Sequence, residues 1–157
     1  MKPFSIQLCL LAGLLVGCGE QHADHAHSDS AHSDQAEGHT HSAPHGGLLV
    51  VLAEEFAHLE LLHDPATGDL RAYALGGHAE TPVRLTQVSI EIEVEGIEGT
   101  LSLKAVPSAL SGESVGDTSE FHLRDAKLKG VDFQAGVIQK VEMLGQQFES
   151  IAFSGDH

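Results

Sequence analysis

Val88-Ser89-Ile90-Glu91-Ile92-Glu93-Val94-Glu95 alternates apolar and polar residues without a break. Successive side chains of an extended chain point to opposite faces, so Val88, Ile90, Ile92 and Val94 share one side while Ser89 and three carboxylates share the other. A segment divided in this way is a strand with one buried and one wet face, the pattern of an antiparallel sheet. The three like charges read as a solvated face, because a catalytic carboxylate pair needs burial to separate its two pKa values.

The same period of two recurs on both sides of this octet, in residues 48–53, 56–63, 70–75, 101–106, 120–124, 137–144 and 148–153. Asp64-Pro65-Ala66-Thr67-Gly68-Asp69 sets one φ with proline and supplies a left-handed position with glycine, which joins 56–63 to 70–75 as a hairpin. Gly76-Gly77-His78-Ala79-Glu80-Thr81-Pro82 forms the next turn. Residues 108–118 read as a long polar loop, 125–129 as a short helical piece and 131–135 as loop. The expected fold is all-β: an antiparallel β-sandwich or small barrel of about seven or eight strands over residues 47–157.

The 157 residues suit one domain. Aromatic residues are 4% and Trp is absent, so the core must be aliphatic. A formal net charge of −15 argues against nucleic-acid partners, whose phosphates it would repel.

Met1-Lys2 followed by a nearly continuous apolar run from Ile6 to Val16 has the form of a signal peptide over residues 1–17, too short to span a bilayer. The run ends in Leu14-Leu15-Val16-Gly17-Cys18, which resembles the bacterial lipobox, and this predicts lipidation of Cys18 and a membrane anchor. Gly19 after the cysteine matches the sorting pattern for the outer membrane, facing the periplasm. Cys9 leaves with the signal, so no thiol remains for a disulfide or a cysteine-based metal site. Removal of residues 1–17 deletes Lys2 and no acid, shifting the charge from −15 to −16.

From Gly19 to Pro44 there is no Lys, Arg, Ile, Leu, Val or aromatic residue. Such a stretch buries too little apolar area to offset its ordering entropy, so residues 18–46 read as a disordered, lipidated tether. Its reach is at most about 85–90 Å and roughly 25–30 Å as a coil. His22, His25, His27, His32, His39 and His41 lie in it, and His45 follows in Pro44-His45-Gly46-Gly47. Neutral imidazole ligates Zn²⁺, Cu²⁺, Ni²⁺ and Co²⁺, and the spacings His25-Ala26-His27 and His39-Thr40-His41 let two rings reach one ion. With a free pKa near 6.5, imidazoles also gain charge and release metal on acidification.

In the domain, Ala57-His58-Leu59-Glu60-Leu61-Leu62-His63 places His58 and Glu60 on one strand face and the aliphatic residues on the other. If 48–53 and 56–63 pair across Glu54-Glu55, His45 falls near the end bearing His63. These positions suggest a nitrogen/oxygen metal site drawn from His45, His58, Glu60 and His63, with His78 as a further member. The competing reading is that each is separately solvated or hydrogen-bonded, with His63 closing a strand end. His122, between Phe121 and Leu123, is expected to face solvent, and His157 to be frayed. There is no Gly-x-Ser-x-Gly, phosphate loop, His-Glu-x-x-His or cysteine nucleophile, so a binding protein is expected rather than an enzyme.

The lipobox, the histidine-rich leader, Pro44-His45-Gly46-Gly47, His58-Leu59-Glu60, Asp64-Pro65-Ala66-Thr67-Gly68 and Gly77-His78-Ala79-Glu80 together resemble small uncharacterised bacterial envelope lipoproteins. Similar His-Gly-Gly and His-x-Glu segments occur in periplasmic adaptors of heavy-metal efflux systems, although the coiled-coil hairpin and lipoyl-like segment of those adaptors are missing. The resemblance covers about residues 1–95 and implies a metal-related envelope role, with His45, His58 and His78 as matching positions. The resulting expectation is a lipid-anchored buffer for divalent Zn, Cu, Ni or Co, or an accessory to a metal-efflux component. The alternative is a module for an envelope protein or glycan, with a merely polar tether.

Overall fold

The structure is a computed structural model, and it describes residues 41–155. Cys18, His22, His25, His27, His32, His39 and His157, with the proposed signal peptide, lie outside the described residues.

Eight antiparallel strands form one sheet: β1 Leu48–Leu52, β2 Ala57–Asp64, β3 Asp69–Gly76, β4 Ser89–Val94, β5 Leu101–Ala105, β6 Glu120–Arg124, β7 Ala135–Met143 and β8 Gln146–Ser154. Their spatial order is β1-β2-β3-β6-β5-β4-β7-β8. The first three strands form a meander, the next three a second meander run in reverse, and the last two a hairpin. Edge strands β1 and β8 come into contact, so the sheet curls into a nearly closed barrel rather than splitting into two stacked layers. Among the described residues there is no α-helix, and one 3₁₀ turn, Ala126–Leu128, is capped by Asp125, which accepts from the Lys127 N–H at 2.9 Å.

The alternation read in the octet places Ile90, Ile92 and Val94 inside the barrel, and Glu91 and Glu93 outside it. Val88 departs from the pattern: it precedes the strand and is 57% exposed, although its carbonyl accepts from the Ala105 N–H at 3.0 Å. Val50, Leu52, Leu59, Leu61, Leu70, Leu103, Phe121, Ile138, Val141 and Met143 complete the interior with the β4 residues. Phe121 is the single aromatic ring among the largest fully buried side chains, as an aliphatic composition requires.

Two of these neighbours make an internal control. Ile92→Ala empties a fully buried position and should lower unfolding free energy by about 2–5 kcal/mol, whereas exposed Glu93→Ala should change it by no more than about 0.5 kcal/mol. Urea denaturation of the two variants beside the parent protein measures both.

Candidate metal centre

His58 and Glu60 occupy the face of β2 opposite to Ala57, Leu59 and Leu61, as the alternation requires, yet both have 0% exposure. They are covered by the chain that precedes β1. Residues 41–47, assigned by composition to the end of the tether and its junction with the first strand, double back over the outside of β2. The Glu60 carboxylate accepts hydrogen bonds from the backbone N–H of His45 at 2.8 Å and of Gly47 at 2.9 Å, and its second oxygen lies 2.8 Å from His45 Nδ1. Charge-assisted bonds of this kind offset the desolvation of a buried carboxylate.

The rest of the strap is fitted to the same purpose. The His45 ring stacks on Tyr73, centroids 3.9 Å apart and planes 15° apart, and Tyr73 is the cross-strand partner of Glu60. A Cβ at Gly47 would lie 2.5 Å from the Leu61 carbonyl oxygen, so only glycine lets the backbone come this close. Burial, reinforced by the negative charges of Glu120 and Glu60, raises the Tyr73 phenol above its ordinary pKa against the opposing pull of Arg71.

His58 is held differently. Its Nδ1 lies 3.1 Å from the Gly76 carbonyl oxygen, which can only accept, so Nδ1 carries the proton. The lone pair is thereby placed on Nε2, a buried atom with no hydrogen-bond partner among the described residues. An orphaned buried acceptor is costly, and a ring oriented by a backbone carbonyl with its other nitrogen free is the usual state of a metal-ligating histidine. The ring of His41 lies against it edge-on, centroids 5.2 Å apart, and His41 lies 5.9 Å from His78 in the same manner. His41 Nε2 is 3.7 Å from Glu55 Oε2, too far for a hydrogen bond but close enough for an ion pair if the ring is protonated.

Two turns bring these groups together. A Cβ at Gly77 would lie 2.6 Å from the Glu55 carbonyl oxygen, so this glycine seats the turn bearing His78 directly on the turn bearing Glu54 and Glu55. Ala53, Glu54 and Glu55 are three successive non-glycine residues in the left-handed region, at φ of 44°, 51° and 72°, a conformation that costs roughly 1–2 kcal/mol per residue. His41, Glu54, Glu55, Gly77 and His78 surround an open depression of about 500 Å³. Among the described residues no three His, Asp or Glu groups already stand at ligand geometry, so metal would have to draw these side chains inward.

The expected set of five residues is therefore divided. His58 and His78 share the His41 cluster, while His45 and Glu60 form the buckle of the strap. His63 is in neither: its Nε2 is 2.9 Å from the Leu128 carbonyl oxygen and its ring packs on Phe133, which matches the reading of a histidine closing a strand end. Glu55 belongs to the Glu54-Glu55 turn, and no ligand-like spacing around it in the sequence singles it out. His122 is on the outer face, 2.9 Å from Asp69, which also receives Arg124 at 2.8 and 2.7 Å.

No protein-family model, no curated protein and no solved structure matches this chain. Function must then be read from the chemistry of the side chains themselves.

Two outcomes follow from these contacts. Glu60→Ala leaves two backbone N–H groups and a histidine without their acceptor, and should cost about 2–5 kcal/mol in urea denaturation. Hydrogen bonds from Arg124, His122 and Thr67 hold the Asp69 carboxyl well below the usual carboxylate range. Because its folded-state pKa is depressed, its contribution to stability is complete above the ordinary value of about 4 and is lost as pH falls below it. Asp69→Asn should accordingly lessen the drop in melting temperature between pH 5 and pH 2 seen for the parent.

Proposed function

We propose that this chain is a lipid-anchored envelope protein, on the periplasmic face of the outer membrane, that binds divalent transition metal and does so without catalysis. The observation that carries the reading is His58: a fully buried imidazole whose tautomer leaves a nitrogen with no partner among the described residues, beside a second imidazole. The surroundings support it. Five histidines at positions 22–39 supply further nitrogen donors, and 23 acidic against 8 basic residues give a negative field that concentrates cations. The only sulfur ligands left after cleavage at Cys18 would be Met143 and the lipidated cysteine itself, and Met143 is buried in the core, so Zn²⁺, Cu²⁺, Ni²⁺ or Co²⁺ suits this donor set better than Cu⁺.

In this role the histidines ahead of the barrel collect ions weakly and exchangeably, and the barrel retains one more firmly or passes it to a metal-efflux component. Calorimetric titration of the purified protein with Zn²⁺, Cu²⁺, Ni²⁺ and Co²⁺ tests the proposal. Saturable binding at pH 7 that weakens at least about tenfold at pH 5.5, where protons compete for imidazole, is expected. Absence of saturable heat at pH 7 for all four ions would overturn it and favour the envelope-protein or glycan module.

A further inference from the structure

Resting on that reading, we infer that the barrel carries one defined centre of its own, built from His41, His58 and His78 with Glu55 as the oxygen ligand, and that it takes a tetrahedrally coordinated ion of the Zn²⁺ class. Two imidazoles bound to one tetrahedral ion at about 2.0–2.1 Å hold their ring centroids about 5 Å apart, and cis ligands of a square-planar ion about 4.5 Å. The observed separations of 5.2 and 5.9 Å bring the three rings close enough for side-chain rotation to direct them at one ion. Three nitrogens and one carboxylate oxygen satisfy four-coordination for a borderline ion.

The four groups differ in how far they must move. His58 is fixed by the Gly76 carbonyl and by complete burial, so it is the preformed ligand. His41 is the shared neighbour of the other two rings and of Glu55, and rotation of its ring exchanges the carboxylate contact for the ion. His78 is exposed on a turn and can swing inward. No ring hydrogen bond to another described residue has to be broken at His41 or His78.

His41 lies in the strap rather than in the barrel, and this gives the centre a second consequence. The strap is already tied at its far end by His45 and Gly47 to Glu60. An ion shared by His41 and His58 adds a tie at the near end, so that loading pins the segment leading toward the membrane anchor against β2. The centre is thus a latch as well as a receptor, and an ion collected upstream is handed to His41.

The test separates this centre from the histidines that precede it. In a tether-silent variant, His22, His25, His27, His32 and His39 are replaced by serine while His41 is kept. Co²⁺, which reports tetrahedral coordination by intense visible absorption, is titrated into the parent, the tether-silent variant and its H41A and H78A derivatives, with Zn²⁺ competition. Both derivatives change partly or fully exposed side chains, and circular dichroism verifies their fold. Retention of one Co²⁺ with a tetrahedral spectrum in the tether-silent variant, weakened at least about tenfold by H41A and by H78A, is the expected result. Binding by the parent but not by the tether-silent variant, a pale six-coordinate spectrum, or affinity indifferent to H41A and H78A would overturn this centre while leaving the general metal reading in place. No binding even by the parent would remove both.

Discussion

A buried carboxylate on the outside of the barrel organises this structure. Glu60 projects away from the core, where solvent would ordinarily receive it, and is instead sealed from water by the chain that enters the fold. An ion in that position is tolerated only while its acceptor sites are filled. The strap is therefore not an ornament on the barrel: its N–H groups solvate Glu60, Gly47 permits the close approach, and Tyr73 provides a flat surface for the His45 ring. Once the strap is fixed, His41 is carried to His58, and a stretch of β2 that β-alternation alone would leave wet is covered and lined with imidazoles.

That corner brings together features that are each costly in isolation. A buried imidazole nitrogen lacks a partner among the described residues, and three successive residues strain the turn that presents Glu54 and Glu55. Strained or unsatisfied groups persist where the surrounding structure over-determines them, and they concentrate at binding sites. On the neighbouring surface, by contrast, charge is fully paired: Arg71 binds Glu120, and Asp69 binds His122 and Arg124. The contrast between a satisfied polar network on β3 and β6 and an unsatisfied one at the end of β2 marks where a ligand would be energetically useful.

Much of the fold was legible because period-two alternation is a local property. The octet around Ile92, the hairpin across Pro65 and Gly68, and the short helical piece after Asp125 all depend on residues within a few positions of one another. The site was legible only in part, because it depends on contacts remote in sequence. Alternation correctly put His58 and Glu60 on one face, but coverage by residues 41–47 is a return of the chain that no periodicity encodes. Composition placed His41 in the tether because residues 19–44 carry nothing to bury, although a single imidazole can be seated by its neighbours. His63 reaches a carbonyl 65 residues away, and the choice of a barrel over a sandwich rests on contact between the first and last strands.

The central claim is that the free nitrogen of His58 is a metal ligand rather than a packing defect. Anomalous diffraction at the zinc edge, from crystals of the protein grown with Zn²⁺, addresses it directly. The account predicts one strong peak about 2 Å from His58 Nε2, with the His41 ring turned toward it. A zinc-loaded crystal with peaks elsewhere and none bonded to His58 would contradict it.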